Sequence, residues 1–181
     1  MEPQKGKRHT QVQTITIRPA VEADAALIAN LVNANALQGK VLPRSLSSVQ
    51  KTLDNWIVAT AGDELLGCVS LLRYTSGLVE VRSLVVQERY RGLGIGSRLM
   101  KALLREAQSR QIPTLFALTR KVPFFERFGF TMTERHFFPE KVWLDCQQCP
   151  LVDRCDETAM VLDLERLEPN SDAAQTGIHI P

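Results

Sequence analysis

Polar and apolar residues alternate from Thr14 to Arg18, then apolar positions take helical spacing at Leu27, Ile28, Leu31 and Val32. This predicts a strand, a break at Pro19 and an amphipathic helix. Gly39 to Pro43 end that helix, and Ser45 is placed to cap a second, short one running to about Leu53. Two apolar runs, Trp56 to Ala61 and Leu65 to Tyr74, flank Gly62-Asp63-Glu64 and predict a hairpin. After a turn at Gly77, Val79 to Val86 reads as a further strand, and Leu99, Leu103, Leu104 and Ala107 mark the inner face of a long helix. Thr114 to Leu118 predicts a short buried strand. Pro123 to Phe128 predicts a short helix that Gly129 stops, with the next strand opening at Phe130. The apolar segment Ala159 to Leu164 fits an interior strand or the interface of a homodimer equally well. The order predicts an α/β fold with a mixed sheet flanked by helices. Residues 13–167 form the expected single domain. The polar, aperiodic segments 1–12 and 168–181 are expected to be flexible tails.

Between the strand ending at Val86 and the long helix lies Arg91-Gly92-Leu93-Gly94-Ile95-Gly96. Closely spaced glycines let the backbone turn sharply and aim its amides outward, and the helix that follows adds the partial positive charge of its N-terminus. The expected guest is a pyrophosphate. Arg89, Arg91 and Arg98 crowd the same turn, which favours a polyanionic cofactor. The dinucleotide fingerprint does not fit, because this strand lies mid-chain behind a hairpin rather than at the start of a doubly wound unit. No Gly-Lys-Ser or Gly-Lys-Thr closes the loop as a Walker motif would require.

Arg91, Gly94 and Gly96 match the pattern of Arg or Gln, two residues, Gly, one residue, then Gly or Ala, and here the chain resembles the GCN5-related N-acetyltransferases. The resemblance runs from Thr14 to about Leu164. It implies acetyl-CoA as cosubstrate, with the pyrophosphate on the amides of Arg91, Gly92, Leu93, Gly94, Ile95, Gly96 and Ser97. It also implies a sheet splayed between its fourth and fifth strands, Val79 to Val86 and Thr114 to Leu118, with the pantetheine arm in the gap. A backbone amide near Leu84, Val85 or Val86 would stabilise the oxyanion on the thioester.

Acetyl transfer to an amine needs the amine deprotonated, and Glu80, on the strand leading to the loop, is the candidate base. Its apolar neighbours are expected to disfavour its charge. A carboxylate paired with Arg73 or Arg82 is the competing reading. Where the family often has a tyrosine that protonates the departing thiolate, this chain has Phe125, which cannot donate a proton and is expected to pack against the cofactor arm.

A chain of 181 residues with 44% apolar content has enough core for one domain. The net charge of +2 and pI near 8.4 are too mild for a nucleic-acid surface. No apolar run reaches membrane-spanning length, and the N-terminal segment lacks the apolar core of a secretory signal, so the expected location is the cytosol. Cys146, Cys149 and Cys155 form a Cys-x2-Cys-x5-Cys cluster, while Cys68 stands alone. Zinc would need a fourth ligand such as Asp145, Asp153 or Asp156, and reduced thiols are the expected state, so no metal is expected.

Arg44, Arg82 and Lys141 are the basic residues expected around the acceptor mouth, where they would hold carboxylates. Leu42-Pro43-Arg44-Ser45, Gly67-Cys68, residues 80–84 and the tail from Lys141 through Cys155-Asp156-Glu157 further resemble the short bacterial N-acetylglutamate synthases. That resemblance implies acetylation of L-glutamate by direct transfer, the first step of arginine biosynthesis, without the amino-acid-kinase-like domain of the longer enzymes. The alternatives are an acetyltransferase for another amino acid, a polyamine or a protein N-terminus, and a non-catalytic acyl-CoA sensor.

Overall fold

Alternation along the strands decides how the chain layers. The computed structural model describes residues 13–139, 145–149, 152–166 and 179–180. Its strands are β1 (Gln13–Pro19), β2 (Trp56–Ala61), β3 (Glu64–Arg73), β4 (Val79–Val86), β5 (Thr114–Thr119), β6 (Thr131–Thr133), β7 (Thr158–Asp163) and β8 (His179–Ile180). Among the described residues they form one sheet in the order β6-β7-β5-β4-β3-β2-β1-β8. All neighbours are antiparallel except β4 and β5. The mixed α/β sheet is the one expected. β7 lies between β5 and β6, so the apolarity of Ala159 to Leu164 is accounted for by an interior strand. Of the expected C-terminal tail, His179 and Ile180 pair with Thr14 and Gln13. Residues 1–12 lie outside the described residues.

Among the described residues, four α-helices cover this sheet: α1 (Ala25–Ala36), α2 (Leu46–Lys51), α3 (Ile95–Ser109) and α4 (Val122–Glu126). The Ser45 hydroxyl accepts a hydrogen bond from the Ser48 amide at 3.1 Å and starts α2 as expected. The long helix α3 buries Ile95, Leu99, Met100, Leu103 and Ala107 against Ile57, Ala59 and Ala61 of β2 and Val79 and Val81 of β4. Leu104 is only partly buried. On the other face, Ala25, Ile28, Ala29 and Val32 of α1 and Val49 of α2 pack on Trp56, Val58, Cys68 and Val85. Each fully buried leucine or valine here contributes about 1.5–3 kcal/mol.

Two irregularities disturb that alternation. Between β2 and β3 the register shifts after Ala59, leaving Leu66 as an extra residue on β3. Between β3 and β4, Cys68 faces Val85 but Ser70 faces Arg82, so Ser83 and Leu84 share one partner position. Ser83 takes the left-handed φ of 54°, a conformation costing of order 1–3 kcal/mol outside glycine. The bulge inverts the faces of β4: Val79 and Val81 point to α3 before it, and Leu84 and Val86 do so after it. Val85 turns to the α1 side.

Gly67 lies where β3, β4 and α3 crowd together. A Cβ there would meet the Val85 carbonyl oxygen at 2.8 Å and Leu99 at 3.2 Å. Gly67→Ala is expected to lower stability by about 1–3 kcal/mol, read as a fall of several degrees in Tm by thermal denaturation. Gly96→Ala places its Cβ no closer than 3.7 Å to Phe124 and is expected to leave Tm within about 2 °C.

Candidate active site

The parallel strands β4 and β5 stay together for only two residue pairs, Val79 with Leu115 and Glu80 with Phe116. Beyond Glu80 they part, which opens a fork in the sheet toward the end of β4 and the glycine loop. Glu80 sits at the mouth of this fork, buried to 3% exposure. Its carboxylate accepts a hydrogen bond from the Tyr74 hydroxyl at 2.9 Å. Phe116, its partner across the fork, is fully buried, stacks on Phe138 with ring centroids 4.2 Å apart and tilts against Tyr74 at 5.7 Å.

Tyr74 is a site residue that the sequence did not single out. It falls one residue past β3, at the hairpin end, where the Tyr74 amide bonds the Leu78 carbonyl at 3.0 Å. Burial, followed by the charge and hydrogen bond of Glu80, pushes the phenol well above its ordinary pKa, so Tyr74 remains a donor. The available signal was its polar tip at the end of an apolar run, which when buried must find a partner.

The glycine loop ends at α3, whose N-cap is Gly94 with a left-handed φ of 76° and no side chain capping the helix. Gly92 is also left-handed, at 83°. A Cβ built on Gly92 or Gly94 would meet nothing within 4 Å, so both glycines face open space beside the uncapped first turn of Ile95, Gly96 and Ser97. A pyrophosphate fits this arrangement, since its oxygens can reach backbone amides without meeting a side chain. The expected arginines each have a protein partner, although Arg98 Nη1 is buried without one. Arg89 pairs with Glu64, and Arg98 donates to the Ile15 carbonyl at 3.0 Å. Arg91 bridges the Val86 carbonyl at 3.2 Å and Asn35 at 3.1 Å, so it fastens the loop to β4 and α1.

Phe125 is buried in the main core, edge-on to Phe130 at 5.2 Å. The ring nearest the loop is instead its neighbour Phe124, which lies beside Gly96 and Val86 and carries the Arg127 guanidinium 5.3 Å over its face. Leu84 and Val86 pack against the main core beside the fork.

Of the three expected acceptor cations, two come together. Arg82 lies two residues beyond Glu80 on the same face of β4. Arg44 reaches it from the loop after α1, where its backbone N–H and C=O are both held by the Asn33 side chain at 2.9 Å. Their guanidiniums meet at Asp145, with Arg44 Nη2 at 3.3 Å and Arg82 Nη1 at 3.8 Å from the same carboxylate oxygen. Burial, and then the neighbouring Arg44 charge, set the Arg82 pKa below that of an ordinary arginine. Lys141 lies outside the described residues. Cys146, Cys149 and Cys155 are partly exposed, and among the described residues no three His, Cys, Asp or Glu side chains gather as a metal site.

The Acetyltransferase (GNAT) family model matches residues 38–130, which include the fork, the glycine loop and α3. The chain belongs to the GNAT family of acetyltransferases. This GNAT chain is 35% identical to an uncharacterized N-acetyltransferase of Chlorobaculum tepidum, over 82% of this chain and 96% of that protein. It is 31% identical to an amino-acid acetyltransferase of Mycobacterium tuberculosis, over 85% and 87% of the two chains. Among solved structures it is similar to the N-acetylglutamate synthase of Neisseria gonorrhoeae with coenzyme A and N-acetyl-glutamate, at a TM-score of 0.73 and 25% identity. That match covers 84% of this chain and 35% of the other. A Mycobacterium tuberculosis protein solved with CoA matches at a TM-score of 0.69 and 26% identity, over 82% and 98%. The GNAT chain is an acetyl-CoA-dependent N-acetyltransferase. Among its described residues no helix is long and apolar enough to cross a membrane.

Gly94→Val puts a branched side chain into the open space above the first turn of α3. Affinity for CoA, measured by calorimetry, is expected to fall at least about 10-fold, while Tm drops by only a few degrees from the left-handed backbone. Unchanged affinity would show that the loop does not hold the phosphates.

Proposed function

We propose that this GNAT chain acetylates the α-amino group of L-glutamate, giving N-acetyl-L-glutamate and CoA as the first step of arginine biosynthesis. The observation that carries this reading is the convergence of Arg44 and Arg82 on one carboxylate, on the sheet face that also bears Glu80. A guanidinium pair suits an acceptor with carboxylates and opposes a polyamine or lysine, whose extra cation would be repelled. The named amino-acid acetyltransferase and N-acetylglutamate synthase relatives support the same choice.

In this reading Glu80 takes the proton that the acceptor ammonium must lose before its nitrogen can attack. The Tyr74 hydroxyl, donating to one carboxylate oxygen at 2.9 Å, holds that carboxylate in place. Ser83 and Leu84 lie in the bulge, where the ladder is broken, so backbone N–H groups there are available to stabilise negative charge on the thioester oxygen. The Gly92–Ser97 turn holds the pyrophosphate, and acetyl-CoA supplies the activated acetyl group.

A covalent acyl-cysteine route finds no support at Cys68. Burial pushes that thiol up to about 12, and its Sγ is fully enclosed against the Ser83 carbonyl at 3.8 Å. Direct transfer from thioester to amine is the reading that remains. With Phe125 lacking a hydroxyl, protonation of the departing thiolate falls to water or to another group, or the thiolate leaves without a dedicated acid.

The deciding experiment measures CoA release from acetyl-CoA with L-glutamate, L-glutamine, L-aspartate, L-lysine and spermidine as acceptors. Glutamate is expected to give the highest kcat/KM, and a preference for lysine or spermidine would overturn the assignment. Saturable acetyl-CoA binding without turnover on any amine would instead favour a sensor. Glu80→Gln is expected to lower kcat about 100-fold or more at neutral pH, with the deficit shrinking at high pH where the free amine needs no base. A loss of Tm without a pH-dependent rate defect would assign Glu80 to structure. Arg82→Ala is expected to raise the glutamate KM about 10-fold or more while leaving the acetyl-CoA KM unchanged.

A further inference from the structure

Among the described residues, four charged side chains gather at the acceptor mouth: the carboxylates of Glu80 and Asp145 and the guanidiniums of Arg44 and Arg82. Burial makes each charge dependent on its partners: the Arg44, Arg82 and Asp145 side chains are 12%, 9% and 15% exposed. Yet the arrangement is incomplete. Charge-assisted N–H···O bonds ordinarily measure about 2.7–2.9 Å, whereas one Asp145 oxygen serves both cations, at 3.3 and 3.8 Å. The Nε groups of both Arg44 and Arg82 are buried without a hydrogen-bond partner. A guanidinium with an unsatisfied Nε beside its Nη can take a carboxylate in the bidentate manner. Asp145 does not use the pair in that way.

The two cations are also fixed independently of Asp145. Arg82 is on β4, and the Arg44 backbone is pinned by two hydrogen bonds from Asn33 on α1. Asp145 comes from a different part of the chain, 101 residues beyond Arg44, at the N-cap of the short 3-10 turn Cys146–Gln148.

We propose that Asp145 is an exchangeable internal ligand of the Arg44–Arg82 clamp. Its carboxylate screens the two guanidiniums from each other in the free protein and gives way to the carboxylate of the acceptor. This inference rests on the acceptor reading above. When Asp145 leaves, Arg44 and Arg82 lose a shared anionic partner, which a carboxylate of the acceptor can replace and an incoming cation cannot. Asp145 therefore acts as a specificity-determining residue: it lowers the apparent affinity of the clamp for every anion and keeps it closed to those too weak to displace a tethered carboxylate.

The test uses glutarate, a dicarboxylate without the reacting amine, so that binding is read apart from turnover. With Asp145→Asn, glutarate affinity by calorimetry is expected to rise about 5-fold or more, and the KM for glutamate to fall by a similar factor. The acetyl-CoA KM stays unchanged. Weaker or unchanged glutarate binding in a variant of unaltered Tm would make Asp145 a permanent part of the clamp and overturn the proposal. On the wild-type protein, saturating glutarate is expected to increase hydrogen exchange at the backbone amides of residues 145–149, and unchanged or decreased exchange would also overturn it. This second measurement decides the matter if Asp145→Asn does not fold. A protein that binds glutarate more tightly as Asp145→Asn but does not acetylate glutamate would refute the glutamate assignment and leave the exchange intact. Normal glutamate turnover with a raised KM in Asp145→Asn would do the reverse.

Discussion

The site depends on two strands being unable to stay paired. Parallel β4 and β5 share only Val79–Leu115 and Glu80–Phe116 before separating, and a separated pair leaves backbone polar groups that must be met by something else. The chain keeps the fork open with bulk and with strain. Phe116, Phe138 and Tyr74 fill its closed end with stacked and tilted rings. The Ser83 bulge bends β4 away at the point where the ladder with β3 slips by one residue. A buried carboxylate, a bulge in the ladder and a glycine turn are thereby strung along fewer than twenty residues of one strand and its following loop.

Electrostatics at the mouth follow from the same layout. Glu80 and Arg82 are two residues apart, so the pleat sets them on one face, where Asp145 and, from the loop after α1, Arg44 bring further charges. The site is thus assembled from charges that each need a neighbour, since a lone buried ion costs several kcal/mol. Low exposure makes their mutual attraction strong and makes the mouth selective about what it admits.

Much of this could be read from the sequence because it follows short-range rules. The two-residue spacing of Glu80 and Arg82, the glycines after β4, the Ser45 cap and the period of α3 each declare themselves within a few positions. What could not be read depends on register and on distant partners. Nothing in Ser83 or Leu66 marks a bulge, since a serine at positive φ is imposed by pairing rather than by preference. Tyr74 meets Glu80 only because β3 and β4 cross at a particular offset. Asp145 meets Arg44 only through the tertiary fold. Phe124 and Phe125 are adjacent on one helical turn, and which ring turns to the loop and which to the core is settled by packing against Phe130 and Gly96. The arginines of the loop could be located but not their occupations, because their partners Glu64, Asn35 and Ile15 lie far off in sequence.

The paired bulges of β3 and β4 carry a further consequence. Each adds one residue and each swaps the two faces of its strand, so parity on the fork side differs from parity on the loop side. The stretch from Glu80 to Gly92 therefore works as a ruler of fixed length. Losing or gaining a single residue within it would turn Leu84 and Val86 out of the α3 core and Val85 into it, and would aim the glycine turn off the axis of α3. Substitutions along this stretch can be absorbed one at a time, but its length cannot drift, so the separation between the Glu80 carboxylate and the glycine turn is set by residue count rather than by residue identity.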